Sequence, residues 1–376
     1  MPHSSIHQLQ VKGFLSIRDA VIEFRRINLL LGANGAGKSN LLRLFQLLQS
    51  LTDDALQEYV ARAGGANALL HYGRKQTDEI AISLQFERSQ QRQNTYYCRL
   101  IPTADDSLKI AEEHLEFQDR KKHSNPYTMS VTYPHAHSVL ARPTEWFAKD
   151  RDLGLASHVR DCIRAYRVYH FHDTSESARI MQRCYIYDNQ SLHADAGNLA
   201  AVLLRLREEH RPRYDNLIDL IRLAAPFLGE FVLEPIRGEY VLLRWRERGW
   251  DTVFSPHALS DGTLRFIALA TLLSLPDEWR PATVIIDEPE LGLHPYAINL
   301  LASAIRSAAQ RTQFLISTQS PLLVSNFEPE DVIVAERIDG ATVFRRLERQ
   351  SLEVWLDAYS LGEIWEKNLI GGRPTR

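Results

Sequence analysis

Between Ile6 and Leu31 apolar positions alternate with polar ones or gather in short runs: Ile6 to Val11, Ala20 to Phe24 and Ile27 to Leu31, broken at Gly13 and Arg25-Arg26. That pattern predicts three strands. After Gly37 the period changes, and Leu41, Leu42, Phe45, Leu48 and Leu51 fall on one stripe of a helix of about three turns. Ile80 to Phe86 and Thr95 to Ile101 alternate again and predict two more strands. Residues 104–165 are mixed in charge, rich in His and Arg, and hold no sustained heptad, which excludes a long coiled coil there. Arg167 to Phe171 reads as a strand. Leu199 to Glu209, with Asn198 as its cap, and Tyr214 to Leu223 read as helices, and Phe231 to Trp245 as a hairpin around Arg237-Gly238. An apolar helix from Leu264 to Leu275 follows, then a buried strand Thr283 to Ile286 and a helix Ile298 to Ala309. A strand Thr312 to Ser317 and a pair, Asp331 to Ala335 and Thr342 to Leu347, complete the pattern. Strands and helices in alternation point to an α/β architecture.

The chain has 376 residues, enough for two to three domains or one large interrupted one. With 44% hydrophobic, 24% charged and 9% aromatic residues it has the composition of an ordinary soluble globular protein. Lys plus Arg is 44 against 47 for Asp plus Glu, a net charge of −3. This balance excludes a wholly basic nucleic-acid-coating protein and an acidic tail, and leaves a local basic groove open. Cys98, Cys162 and Cys184 show no Cys-x-x-Cys spacing, so neither a disulfide framework nor a zinc knuckle is expected. The N-terminus lacks a signal-peptide pattern, and no apolar run approaches the length of a membrane span. A cytoplasmic protein without a membrane partner is expected.

Three motifs carry chemistry. Gly32-Ala-Asn-Gly-Ala-Gly-Lys-Ser39 follows an apolar strand and opens an amphipathic helix. Its glycines let backbone amides turn inward round phosphates, at a helix N-terminus whose dipole favours anions. Lys38 would neutralise the β- and γ-phosphates, and Ser39 would offer its hydroxyl to magnesium. Thr283-Val-Ile-Ile-Asp287-Glu288-Pro289 is a β-branched strand ending in adjacent acids, at the sheet edge where such folds bind phosphates. Asp287 would hold magnesium through water, and Glu288 would polarise the attacking water. Leu259-Ser260-Asp261-Gly262-Thr263 lies just before the helix from Leu264, where a Ser and free amides form an anion site that need not face its own chain's phosphate loop.

Taken in that order, the motifs resemble those of ATP-binding-cassette ATPases, and more narrowly the SMC/RecF/overcoming-lysogenisation-defect branch. Leu9 to Asp19 leading into Ile27 to Asn40 is similar to that branch's N-terminus. Leu259 to Thr263 resembles its signature loop, and Glu288-Pro-Glu-Leu-Gly-Leu-His-Pro295 its strand end and dimer-facing loop. The tail Tyr359 to Pro374 looks like that of small bacterial predicted ATPases, some associated with phage-defence operons. One departure is Ser317-Thr318-Gln319-Ser320-Pro321, where the family commonly has Thr-His-Ser-Pro. Gln319 cannot become a cation, but its amide can bond a γ-phosphate or the lytic water, so turnover rate is in doubt more than binding. For the magnesium-coupling Gln of the family, both Gln85 and the turn His170 to Asp173 are conceivable.

The resemblance implies an α/β P-loop NTPase with a two-lobed head, its mixed sheet flanked by helices. Residues 1–104 would form the nucleotide lobe, 105–230 a mostly helical insertion, and 231–376 the lobe with the signature loop and acidic strand. Lys38 and Asp287 stand 249 positions apart, too few for a long coiled coil, so the head should be compact. ATP would sit on Asn34, Gly35, Ala36, Gly37, Lys38, Ser39 and Asn40, with Mg2+ on Ser39 and Asp287. Ser260 and Gly262 of a second chain would close over the γ-phosphate, and Glu288, Lys38 and Gln319 would serve hydrolysis. The implied role is an ATP-driven dimeric switch in a DNA-related repair or phage-defence complex. The alternative is a slow ATP-dependent regulator or scaffold of a protein partner, such as a toxin effector from the same operon. His170 with His172, and His135 with His137, have an i, i+2 spacing that suits a metal, but no further ligand stands at readable spacing. Arg205, Arg207, Arg211 and Arg213 mark a basic helix end, read as a solvated face beside Glu208 and Glu209 or as a phosphate-backbone contact.

Overall fold

The computed structural model describes residues 5–89, 92–121, 125–236 and 238–373. Its opening elements are β1 (Ser5–Phe14), β2 (Ile17–Glu23), β3 (Ile27–Leu31) and α1 (Lys38–Thr52). After two short helices come β4 (Ile80–Ser89), β5 (Arg92–Pro102), β6 (Leu108–Asp119) and β7 (Tyr127–Val131), then a helix Asp150–Arg164 and β8 (Tyr166–Tyr169). The chain divides into two compact units, one of residues 1–166, 330–348 and 368–376, the other of 167–329 and 349–367. No helix among the described residues is long and apolar enough to cross a membrane.

In the first unit six strands form an antiparallel sheet in the order β2-β1-β4-β5-β6-β7. Alternation buries one face, with Leu9, Val11, Ile82, Leu84, Tyr96, Cys98 and Ile110 all essentially inaccessible. The other face is polar: Gln10, Ser83, Gln85, Thr95, Tyr97, Glu112 and His114 line an open hollow of about 830 Å³. Two packing partners, α1 and the helix Asp150–Arg164, meet each other, and the latter also lies on β5 and β6. β3 pairs in parallel with the strand Val332–Ile338, which pairs antiparallel with Ala341–Arg346.

β5 and β6 pair from Arg92↔Asp119 to Pro102↔Leu108, so the sheet runs straight through the boundary expected at residue 104. The first part of the expected helical insertion is therefore strand. Its alternation was masked by Glu113, which occupies a core position and is fully buried. Four groups satisfy its carboxylate: the Tyr96 hydroxyl at 2.5 Å, the Ser138 hydroxyl at 2.6 Å, the Val139 amide at 2.8 Å and His135 Nε2 at 2.9 Å. Burial works against an imidazolium at His135, yet the Glu113 carboxylate and the Tyr133 carbonyl leave its pKa above the ordinary value. Removing one member of a buried charged network strands the others. Glu113→Ala is expected to cost about 3–5 kcal/mol. Thermal melts should show this as a fall of about 10 °C in Tm, and a fall of only a degree or two would remove the network from the stability of this unit.

The same contacts account for the first histidine pair. His135 forms a single β-bridge with Ile110 and the chain bends at Ala136 and His137, so the i, i+2 spacing does not align the rings. His135 is buried on Glu113, whereas the more exposed His137 meets Asp54 Oδ1 at 2.7 Å. No shared metal position results. The three cysteines form no disulfide; Cys98 and Cys162 are buried and Cys184 partly so.

In the second unit the strands Gln313–Thr318 and Thr283–Asp287 and then β8 lie side by side, with Thr283–Asp287 in the middle. The first two are parallel and in register from Thr283↔Gln313 to Asp287↔Ser317. The helices Leu199–Glu209, Arg211–Ala224, Asp261–Ser274 and Pro295–Ala308 pack among themselves. Asn198 stands at the N-cap position of the first without capping it. Its amide instead bonds the carbonyls of Asp188 and Ser191 and accepts from the His193 amide, pinning the preceding loop. Strands Leu228–Val232 and Arg244–Glu247 pair antiparallel as the expected hairpin, whose Arg237 lies outside the described residues. Of the four arginines, Arg205 bonds Glu209 and lies over the Trp279 ring at 3.8 Å, and Arg211 bonds Asp215.

Candidate functional site

The phosphate loop leaves β3 at Gly32 and enters α1 at Lys38. Gly37 takes φ 102, a left-handed conformation that glycine adopts without strain, and a Cβ there would lie 2.0 Å from Thr342 Oγ1. The loop is braced from behind. Asn40 Nδ2 donates to Ser16 Oγ at 2.7 Å, Ser16 and Thr342 share a 2.6 Å hydroxyl contact, and Thr342 Oγ1 donates to the Ala36 carbonyl. The Ala33 amide donates to the Gly372 carbonyl at 2.7 Å, and the Gly372 amide to Glu336. Lys38 is buried, its ammonium folded back onto the carbonyls of Gly32 at 2.6 Å and Ala33 at 3.1 Å. Asn34, Gly35 and Ser39 are exposed. Sequence reasoning missed the braces Ser16, Thr342, Glu336 and Gly372, because they stand up to hundreds of residues away and carry no motif.

In the second unit Asp287 ends its strand beside Ser317, whose hydroxyl donates to Asp287 Oδ1. Glu288 follows at φ 41, a left-handed backbone that is uncommon for a residue with a Cβ. Its amide donates to the Ser317 carbonyl at 2.9 Å, and its Oε1 accepts the Gln319 side-chain amide. Gln319 thus meets the Glu288 carboxylate directly.

Glu290, unassigned from the sequence, holds that turn. Its Oε1 accepts the Thr318 hydroxyl at 2.6 Å and the Gln319 amide at 3.1 Å, while Oε2 is buried without a partner. Burial raises its pKa from the ordinary 4.5, against the pull of these donors. A raised carboxyl pKa favours the folded chain fully below the unfolded value, and the advantage fades as pH climbs through the folded one. Glu290→Gln abolishes that titration. The Tm of the variant minus that of the natural protein is therefore expected to grow from about pH 5 to about pH 8, and a flat or shrinking difference would remove the burial penalty.

Ser260 caps the helix Asp261–Ser274, accepting the Thr263 amide at 3.3 Å and sharing a 2.8 Å contact with its hydroxyl. Gly262 is required by close approach, since a Cβ there would stand 2.2 Å from the Gly292 carbonyl oxygen. Arg265, one turn on, bonds the carbonyls of Phe171, His172 and Leu291. This helix therefore holds both the turn after β8 and the loop after Asp287.

That turn brings His170 and His172 to Asp287, with donor atoms of all three within 4.8 Å of one another. Burial pushes the His170 imidazole below its ordinary pKa, against the attraction of Asp287. Gln85 instead accepts from Gln93 on the polar sheet face of the first unit. Within the second unit the chemistry of Asp287, a carboxylate oriented by a hydroxyl, fits a divalent cation.

Comparison with known proteins agrees on the fold. A structure of an SMC head bound to the C-terminal winged-helix domain of ScpA superposes with a TM-score of 0.61 at 16% identity, covering 93% of this chain and 99% of that one. An SMC head with an extended coiled coil from Pyrococcus furiosus, bound to the C-terminal domain of ScpA, gives 0.57 at 15%, covering 94% and 98%. One from Pyrococcus yayanosii gives 0.52 at 13%, covering 94% and 99%. No curated protein matches the sequence. Residues 27–325 match the family described as "AAA domain, putative AbiEii toxin, Type IV TA system". Most of the chain lies within that match, and the protein belongs to this family of AAA domains, P-loop ATPases in type, with the fold of SMC heads.

Proposed function

We propose that the chain hydrolyses ATP in the cytoplasm and works as a switch, two copies closing on shared nucleotide. The observation that supports hydrolysis best is Glu288, held at φ 41 with the Gln319 amide on one carboxylate oxygen and the other left for water. Asn34 to Asn40 cradle the phosphates, and Lys38 exchanges the carbonyls of Gly32 and Ala33 for phosphate oxygens. Ser39 and Asp287 would hold the nucleotide's divalent cation, which supplies charge neutralisation on those oxygens when bound. Glu288 accepts the proton of the water that attacks the γ-phosphorus in line, and Gln319 keeps its carboxylate aimed. Ser260 and Gly262 of the second copy present a helix N-terminus to the γ-phosphate. A site completed in trans makes turnover per chain rise with protein concentration. Steady-state phosphate release over a hundred-fold dilution tests this, and a constant rate per chain would overturn the pairing.

The client in this reading is a DNA-linked repair or defence complex. Duplex DNA should then stimulate turnover, with an effect that falls steeply with salt. A second reading, a slow regulator of a protein effector, draws on one surface observation. Val354 is 81% and Trp355 42% exposed on the helix Arg349–Leu356, apolar surface that suits a protein partner. Native co-purification of a neighbouring gene product, with no response to DNA, would favour it.

A further inference from the structure

We infer that His170, His172 and Asp287 form a binding site for a first-row divalent transition ion, filled without nucleotide and selective against Mg2+. The inference rests on the ATP reading only for its effect on turnover.

Among the described residues this is the one group of at least three His, Cys, Asp or Glu side chains whose donor atoms converge in this way. The chain leaving β8 sets the two imidazoles. Phe171 between them is buried and packs on Tyr169, ring centroids 5.6 Å apart, so the alternation of an extended segment turns both histidines to the opposite face. The carboxylate comes from the neighbouring strand. Donor atoms within 4.8 Å of one another need only small side-chain rotations to reach the about 2.0–2.2 Å distances of such ions.

The donors are supported as metal ligands require. The Ser317 hydroxyl fixes the Asp287 carboxylate. The backbone of the histidine segment is fixed by the His170 amide, bonded to Ala194 O at 2.9 Å, and by Arg265 on the carbonyls of Phe171 and His172. Two nitrogens and one oxygen make a borderline donor set that suits Mn2+, Co2+ or Zn2+, whereas Mg2+ prefers oxygen throughout. Three protein ligands leave positions open, which a phosphate oxygen or water can fill.

The test uses Co2+ and Mn2+ with the full-length, nucleotide-free protein, by visible d–d absorption and by electron paramagnetic resonance. One equivalent should bind, and a hundred-fold excess of Mg2+ should not displace it. His170→Asn, His172→Asn and Asp287→Asn should each weaken binding by more than the about ten- to hundred-fold that loss of an outer-shell partner costs, with unchanged circular dichroism showing that the variants are folded. Lys38→Ala should bind Co2+ as the natural protein does, which separates this site from the ATP reading. In turnover assays the histidine variants should shift cation preference from Mn2+ toward Mg2+. Co2+ affinity equal in the natural protein and in the folded double variant His170→Asn/His172→Asn would overturn the site, as would equal competition by Mg2+.

Discussion

Glu288→Gln is expected to lower ATP turnover by about 10²–10⁴-fold, the usual worth of a positioned general base, while ATP affinity stays within a few-fold. The substitution keeps the side-chain length and an oxygen that can still accept the Gln319 amide, so the geometry around φ 41 is preserved. What disappears is the carboxylate that takes the proton. Hydrolysis is the step that dissolves the closed pair in the proposed cycle, so this variant should accumulate as a dimer with ATP and not with ADP. Light scattering on a sizing column, beside phosphate-release assays, reads both outcomes. A monomer at saturating ATP would sink the pairing, and near-normal turnover would remove Glu288 as the base.

Lys38→Ala should have the second large effect, on binding. The ammonium bonds the backbone carbonyls of Gly32 and Ala33 in a buried position. Phosphate oxygens offer it stronger, charge-assisted bonds worth about 1.5–3 kcal/mol each. Losing one or two of them weakens ATP by roughly ten- to ten-thousand-fold, at about 1.4 kcal/mol per factor of ten. Calorimetry checks this directly. A thermal shift adds a second reading, because a ligand that binds only the folded chain stabilises it by an amount that grows with the logarithm of one plus the ratio of ligand concentration to Kd. ATP should raise the Tm of the natural protein and leave that of Lys38→Ala unmoved. An equal rise in both would take Lys38 out of the binding site.

The sequence was most legible where one local pattern carried the whole instruction. An apolar run, then a glycine loop, then helical period gave β3, the phosphate loop and α1 within a few residues of their bounds. Three apolar residues, Val284 to Ile286, running into Asp287-Glu288 likewise marked the strand Thr283–Asp287. Legibility failed where a core position was polar. Leu-Lys-Ile-Ala-Glu-Glu-His-Leu-Glu-Phe reads as a charged segment until Glu113 is seen to point inward among four partners, and only then does it read as strand β6. It failed again wherever function needed a distant residue. The expected link of Gln319 to phosphate or water depended on ligands, whereas its bond to Glu288 follows from the register of two parallel strands. The pair His170/His172 lacked a third ligand in sequence because Asp287 arrives 115 positions after His172, by strand adjacency alone. His135/His137 had the same spacing and diverges, since His135 bridges Ile110 and the chain then bends at Ala136 and His137.

The seam between Gly262 and the Gly292 carbonyl also governs how this sequence can drift. With a Cβ excluded at 262 and Arg265 bonded to Leu291, a change in the turn at Ser260 must be matched by the loop at 290–294. A chimaera that imports the Ser260 turn from a relative carrying a side chain at 262 brings a backbone clash with it. Importing the partner loop in the same exchange restores the fit. Recombination inside this protein therefore has natural breakpoints outside 260–294, and the helix and the acidic strand travel together.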